Sequence, residues 1–285
     1  MLEKYKKLKI LGQGATAQVF LVEEIATGEL FAMKVGGQGA LLRWEADLLG
    51  SLYGKYFPKV KEYFKETREY LVMEYISGVS LQELLDKGTI FKQEEILHIM
   101  EGILYALDKL HRHEPAIIYR DLKPSNVMVK ENGEIRLIDM GAACLADGTF
   151  GSAGDGNAGT MQVGTYGYAA PEQFWKGFIT GRSCDIYAAG KILAYLLSGK
   201  NPAEPPYDVE QFCKGLKKVP PTLIEIIERC LALQPQARYE DCEDLRRDIY
   251  MVFQEKTNKK MWKKLRKRTC CYKKCIWKSE YRRIF

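Results

Sequence analysis

Two short stretches near the amino terminus combine residue types that handle phosphate and charge. Gly12-Gln-Gly14-Ala-Thr-Ala17-Gln-Val19 sets small residues between two β-type runs. A backbone that turns tightly there can bring its N–H groups close to an anionic ligand such as a phosphate. Ala17 stands where a GxGxxG string has its third glycine, and an ordinary hairpin turn fits the local sequence equally well. No helical pattern follows directly, which argues against a dinucleotide-binding turn. Further on, Phe31-Ala32-Met33-Lys34-Val35 places one lysine inside an apolar strand, on the face it shares with Ala32. A lysine facing a cleft needs an anionic partner. Leu41, Glu45, Leu48 and Leu52 recur at helical spacing, so Glu45 falls in an apolar stripe where an unpaired carboxylate is costly. A Lys34–Glu45 ion pair answers both needs. The alternative is a boundary Glu45 and a Lys34 that snorkels to water.

The densest cluster of reactive types is Ile117-Ile-Tyr119-Arg120-Asp121-Leu-Lys123-Pro-Ser-Asn126-Val-Met-Val129. It resembles the catalytic loop of the eukaryotic-like serine/threonine protein kinases, H/Y-R-D-x-K-P-x-x-N, with every polar position filled. Tyr119 takes the place more often held by His. The resemblance implies that Asp121 accepts the proton of an attacking hydroxyl, that Lys123 neutralises the γ-phosphate and that Asn126 reaches a magnesium ion. Leu137-Ile-Asp139-Met140-Gly141 resembles the D-F-G segment, with Met140 for Phe, and implies Asp139 as the second metal ligand. Gly164-Thr165-Tyr-Gly-Tyr168-Ala-Ala170-Pro171-Glu172 resembles the end of the activation segment. There Thr165 would contact the catalytic Asp, and Glu172 would pair with Arg238. Asp185, in Cys-Asp185-Ile-Tyr187-Ala-Ala-Gly190, resembles the D-x-W-x-x-G helix start with Tyr for Trp. An Asp there caps a helix and can bind backbone N–H groups of the catalytic loop.

The resemblance runs from about Tyr5 to Phe253, and its phrasing is similar to the bacterial members of the family. It implies an α+β, bilobal kinase fold, ATP with Mg2+ (Mn2+ as the alternative ion), and protein substrates bearing Ser or Thr, including the chain itself. Adenine would lie along Glu69 to Ile76, with Met73 as gatekeeper and Glu74 and Ile76 giving backbone contacts. Leu11, Val19, Ala32 and Met128 would enclose the ring, with Gly12, Gly14 and Lys34 at the phosphates. Arg120 would receive a phosphorylated activation segment, for which Thr149, Ser152 and Thr160 are the candidate hydroxyls. Lys34 and Glu45 are closer in sequence than is usual in the family, so the intervening helix is expected to start no later than about Gly39. A catalytically dead pseudokinase scaffold is the alternative, hinted at by Ala17 and Met140 but opposed by Lys34, Glu45, Asp121, Asn126 and Asp139. A small-molecule kinase is disfavoured by Thr165, Ala-Pro-Glu and the Glu172/Arg238 pair.

The elements that must hold these residues can be read from periodicity. Lys9–Leu11, Gln18–Glu24, Leu30–Val35 and Tyr70–Glu74 read as strands, interrupted by one helix over 39–52. Helical periods follow at 94–112, 183–198, 222–233 and 240–254, with short strands at 127–130 and 135–138. This segregation gives an amino lobe over 1–76, a carboxyl lobe over 77–255 and a tail over 256–285. Gly148 to Gly159, five glycines in twelve positions, reads as a loop.

The net charge of +6 over 285 residues divides unevenly. The tail from Lys256 holds thirteen Lys and Arg against Glu280 alone, or +12, which leaves −6 for the rest. The charge therefore gives no sign of a specific nucleic-acid partner. Trp262, Leu265, Tyr272 and Ile276 sit among the basic residues at roughly helical spacing. The tail then suits an anionic membrane surface or an acidic partner, or is a solvated extension. Cys270, Cys271 and Cys275 without a fourth ligand make poor zinc evidence, and lipidation, a weak metal contact or no special role are the open readings of the cluster. The eight cysteines form no disulfide framework, no apolar h-region follows Met1, and no run of 18 apolar residues occurs. The expected location is cytoplasmic, peripheral at a membrane through 256–285.

Overall fold

Apolar and β-branched residues alternate with polar ones through the amino-terminal part, and these stretches pair into a five-stranded antiparallel sheet of order β1-β2-β3-β5-β4. Its strands are β1 (Tyr5–Gln13), β2 (Ala17–Glu24), β3 (Leu30–Gly36), β4 (Val60–Lys65) and β5 (Glu69–Glu74). The computed structural model describes residues 1–14, 16–37, 41–149, 164–175, 181–204 and 219–265, with side chains to residue 254. Residues directly opposed across strands share a face. The row Phe20–Met33–Val72 and its neighbours Val35 and Tyr70 form a small outer core with Tyr5, Val22 and Phe64. The rows Val19–Lys34–Leu71 and Leu21–Ala32–Met73 take the other face, where Leu71 and Met73 join the main core.

Helix α1 (Leu42–Ser51) crosses this inner face. It begins later than the expected start near Gly39. Its buried residues are Leu42, Glu45, Ala46, Leu48 and Leu49, whereas Leu41, assigned to the stripe by spacing, is the exposed residue just before the helix. β4 is a strand that periodicity did not indicate, because three of its six residues are charged.

β5 ends at Glu74 and the chain crosses to β6 (Val79–Ser80). Gly78 lies so close to the neighbouring strand that a Cβ there would sit 2.5 Å from the Val129 carbonyl oxygen. Ser80 caps α2 (Leu81–Asp86), its hydroxyl accepting the Glu83 N–H at 3.1 Å. The long α3 (Gln93–His111) follows, then β7 (Ile117–Ile118), β8 (Val127–Val129), β9 (Ile135–Leu137) and β10 (Cys144–Leu145). These short strands form two ladders, β6-β8-β9 and β7-β10. α4 (Arg182–Ser198) is buried along nearly its whole length and ends on Gly199 in the left-handed conformation, φ 67°. α5 (Pro221–Cys230) and α6 (Cys242–Leu265) complete the α-helical lobe. α6 runs past residue 255, the expected end of the carboxyl lobe, and the remainder from 266 lies outside the described residues.

α4 and α5 touch where Gly190 removes a side chain. A Cβ at 190 would lie 2.5 Å from the Cβ of Cys230, which is fully buried. Gly190→Ala should therefore destabilise the protein by about 1–3 kcal/mol through overpacking, although alanine gains about 1 kcal/mol in helix propensity. A fall in the urea midpoint is the expected readout.

Candidate active site

Strand alternation turns Lys34 to the inner face of the sheet, and the first turn of α1 brings Glu45 beneath it. Lys34 Nζ lies 2.7 Å from Oε2 of Glu45 and 2.7 Å from Oδ1 of Asp139. The side chains of Lys34 and Glu45 are 9 % and 1 % exposed, and that of Asp139 is 46 % exposed. The pair forms although α1 starts at Leu42, because Glu45 is already reached within the first helical turn. Burial works against the ammonium, but the two carboxylates outweigh it and hold Lys34 protonated well above the ordinary lysine range. Burial likewise pushes the Glu45 carboxyl up, with Lys34 opposing. Both Glu45 oxygens accept N–H bonds, the second from Met140 N–H at 3.1 Å, so the geometry is that of a carboxylate. For Asp139 the upward push of burial loses to Lys34, and the carboxyl sits below its ordinary range.

The backbone around Asp139 is held from several sides. Asp139 takes a left-handed conformation, φ 67°, and its Oδ1 accepts the Gly141 N–H at 3.1 Å. The Tyr119 hydroxyl donates to the Ile138 carbonyl oxygen. Trp44 on α1 donates from Nε1 to the Ala143 carbonyl oxygen at 2.9 Å. Trp44 carried no signal in the sequence beyond its place on the helix.

The segment from Tyr119 to Asn126 links β7 to β8 and is fixed by a buried carboxylate. Asp185, in the first turn of α4 and 0 % exposed, accepts the N–H groups of Tyr119 and Arg120, each at 2.9 Å. His111 Nε2 lies 2.8 Å from the same carboxylate, and its Nδ1 lies 3.5 Å from Cys242 Sγ. Sequence reasoning missed His111; its only sign was the inward phase of its helix. Arg120 adopts φ 65°, donates from Nε to the Ala142 carbonyl oxygen at 2.6 Å, and gives its own carbonyl to Gln173 Nε2 at 2.8 Å. Its side chain, assigned to a phosphorylated segment by resemblance, is buried in this arrangement.

Asp121 projects from that loop into a polar cluster. Thr165 Oγ1 donates to Asp121 Oδ1 at 2.7 Å, and Lys123 Nζ lies 2.8 Å from Asp121 Oδ2. Lys123 also donates to Thr165 Oγ1 at 2.8 Å. Asn126 Nδ2 donates to the Asp121 carbonyl oxygen at 2.9 Å and to Oδ2 at 3.2 Å. This commits the Asn126 amide nitrogen to the loop and leaves its amide oxygen as an acceptor. Asp139 spends Oδ1 on Lys34 and Gly141. Asn126 and Asp139 thus offer hard oxygen donors of the kind a Mg2+ or Mn2+ ion takes. Glu172 and Arg238 form a two-pronged pair, 2.6 Å and 2.8 Å, with both side chains buried.

At the other end of the cleft, Gly12 opposes Val19 in the β1–β2 register, and Gly14 N–H closes the turn onto the Ala17 carbonyl oxygen at 2.8 Å. Leu11 falls at the register irregularity beside Gly12 and is exposed. Val19, Ala32, Lys34 and Met73 line one face of the sheet. Glu74 and Ile76 flank the crossing between lobes, and Met128 opposes Ser80 in the lower ladder. Thr149 is exposed; Ser152, Thr160, Cys270, Cys271 and Cys275 lie outside the described residues.

The model of the protein kinase domain family matches residues 5–251. The chain is 30 % identical over 270 residues to the serine/threonine-protein kinase PrkC of Bacillus subtilis, covering 88 % of this chain and 40 % of the relative. It is 28 % identical over 277 residues to serine/threonine-protein kinase D of Synechocystis, covering 88 % and 53 %. It is 29 % identical over 268 residues to the probable serine/threonine-protein kinase PknB of Lactococcus lactis, covering 87 % and 42 %. The chain spans about half the length of these relatives or less.

Asp185 accepts two loop N–H groups and is the partner of a buried imidazole. Asp185→Ala should cost about 3–5 kcal/mol by stranding those groups, and Asp185→Asn less. The check is the urea midpoint of each variant against wild type.

Proposed function

Because this chain belongs to the protein kinase domain family, we propose that it is an ATP-dependent serine/threonine protein kinase that moves the γ-phosphoryl group to Ser or Thr hydroxyls of proteins, itself among them. The observation that carries this is the Thr165–Asp121–Lys123 cluster, closed by contacts of 2.7 Å and 2.8 Å and facing the Lys34–Glu45–Asp139 network. An unreactive scaffold has no need of a largely buried carboxylate base with an ammonium group against it.

The residues divide the work. Asp121 accepts the proton of the incoming hydroxyl, with the Thr165 hydroxyl holding its other oxygen in place. Lys123 carries the positive charge nearest that base and counters negative charge as it builds on the transferred group. Lys34, locked by Glu45, orients the phosphate end, and the small residues Gly12 and Gly14 allow close backbone approach. Val19, Ala32, Met73 and Met128 give the base an apolar enclosure, with Leu11 at its mouth and backbone contacts from Glu74 and Ile76. Asn126 and Asp139 would hold the divalent ion, Mg2+ or Mn2+. When bound, ATP and its ion supply the phosphoryl group and neutralise its oxygens. Positioning and charge do most of the rest, since a loose transition state asks for little covalent help. No described helix is long and apolar enough to cross a membrane.

Asp121→Asn should lower transfer from γ-labelled ATP to a Ser/Thr protein acceptor by about 10²–10⁴-fold, and Lys34→Met should abolish it within detection. Circular dichroism should show both variants folded. Turnover at the wild-type rate in either variant overturns the assignment. A wild-type protein that binds nucleotide but transfers nothing favours the pseudokinase reading instead.

A further inference from the structure

One buried cation of the cleft region remains outside the cluster described above. Arg136 lies in β9, three residues before Asp139, and is 7 % exposed. Its guanidinium points at the place where the chain passes between lobes. Nη1 lies 3.8 Å from Oε2 of Glu74, the last residue of β5, and Nη2 lies 3.5 Å from Oε2 of Glu134. Nη1 also donates to the Phe57 carbonyl oxygen at 3.5 Å. Glu74 is fixed from its other side: its N–H donates to the Lys59 carbonyl oxygen at 2.8 Å, and its Oε2 accepts the Lys59 N–H at 3.2 Å. The next residue of β9 is tied to the same loop, Leu137 N–H donating to the Tyr56 carbonyl oxygen at 2.8 Å. The end of β5, the loop before β4 and strand β9 therefore converge on one side chain.

Packing alone does not explain an arginine here. A methionine of similar length fills such a space without the several kcal/mol needed to desolvate a charge. A guanidinium, however, presents two branches in a rigid plane, and here it stands between two carboxylates while also reaching a carbonyl. At 3.5–3.8 Å these are charge contacts more than tight hydrogen bonds, so much of their effect should survive in lysine. The element they immobilise is the strand end whose main chain, on the kinase reading, meets the nucleotide base.

We infer that Arg136 is a positioning residue for nucleotide binding: its guanidinium clamps Glu74 and so fixes the end of β5 and the crossing at 75–78 against β9. The inference rests on the proposed kinase function and adds a determinant of nucleotide affinity that lies outside the catalytic cluster.

The test measures KM for ATP and kcat with casein as acceptor, alongside the Kd of a non-hydrolysable ATP analogue with Mg2+, on the full chain. Arg136→Met should raise KM and Kd by about 5- to 20-fold and leave kcat within about two-fold. Arg136→Lys should recover most of the loss. Glu74→Gln should raise KM similarly, and the Arg136→Met/Glu74→Gln double variant should be no worse than the weaker single variant. A lowered Tm with unchanged KM and Kd, or fully additive effects, overturns the inference by making Arg136 merely structural. If Arg136→Met fails to fold, Glu74→Gln decides, and a wild-type KM in that variant overturns it. A wild-type chain that neither binds nor turns over nucleotide overturns the kinase reading itself, and the role of Arg136 with it.

Discussion

A lysine on the inner face of a sheet is the constraint from which much of this architecture follows. Lys34 is 7 % exposed, and an unpaired ammonium there would cost several kcal/mol against a total stability of about 5–15 kcal/mol. The fold answers with two carboxylates at 2.7 Å from different parts of the chain, Glu45 on α1 and Asp139 after β9. Glu45 then spends its second oxygen on the Met140 N–H. One buried carboxyl thus joins the sheet, the helix and the segment that carries Asp139. Breaking it would release all three, so the charge pair that the proposed chemistry calls on is also a structural joint.

The helical lobe likewise gives two of its buried carboxylates several partners each. Asp185 takes two backbone N–H groups and an imidazole, and Glu172 takes both branches of Arg238. These anchors hold a loop in which Arg120 adopts a left-handed conformation that a non-glycine residue rarely occupies. A loop so constrained keeps Asp121, Lys123 and Asn126 in one mutual geometry without help from regular secondary structure. The proposed chemistry depends on that, because a base displaced by about 1 Å can lose roughly 10²-fold in rate.

Much of the site was legible because its residues are bound by short spacing or by alternation. Asp121, Lys123 and Asn126 sit in one loop, and the phase of a strand alone directs Lys34 inward. The Lys34–Glu45 pair could be inferred from two costs that cancel each other. Other features were hidden for physical reasons. β4 carries charges at half its positions, so pairing with β5 and not pattern makes it a strand. The start of α1 is set by tertiary packing, which moved the buried stripe from Leu41 to Leu42. His111, Trp44 and Arg136 act across 74, 99 and 62 residues of chain, respectively, toward Asp185, Ala143 and Glu74. Such long-range partners leave no local trace in a single sequence.

On the proposed kinase reading, the charge on Glu45, by holding Lys34, sets the phosphate end of the cleft for transfer. A direct measurement is the single-turnover rate of γ-phosphoryl transfer at saturating ATP in Glu45→Gln, a variant that keeps the shape but removes the charge and replaces one of the two accepting oxygens with a donor. The expected fall is about 10- to 100-fold, in line with about 1.4–2.8 kcal/mol lost from transition-state stabilisation. A wild-type rate in a folded Glu45→Gln protein would contradict it.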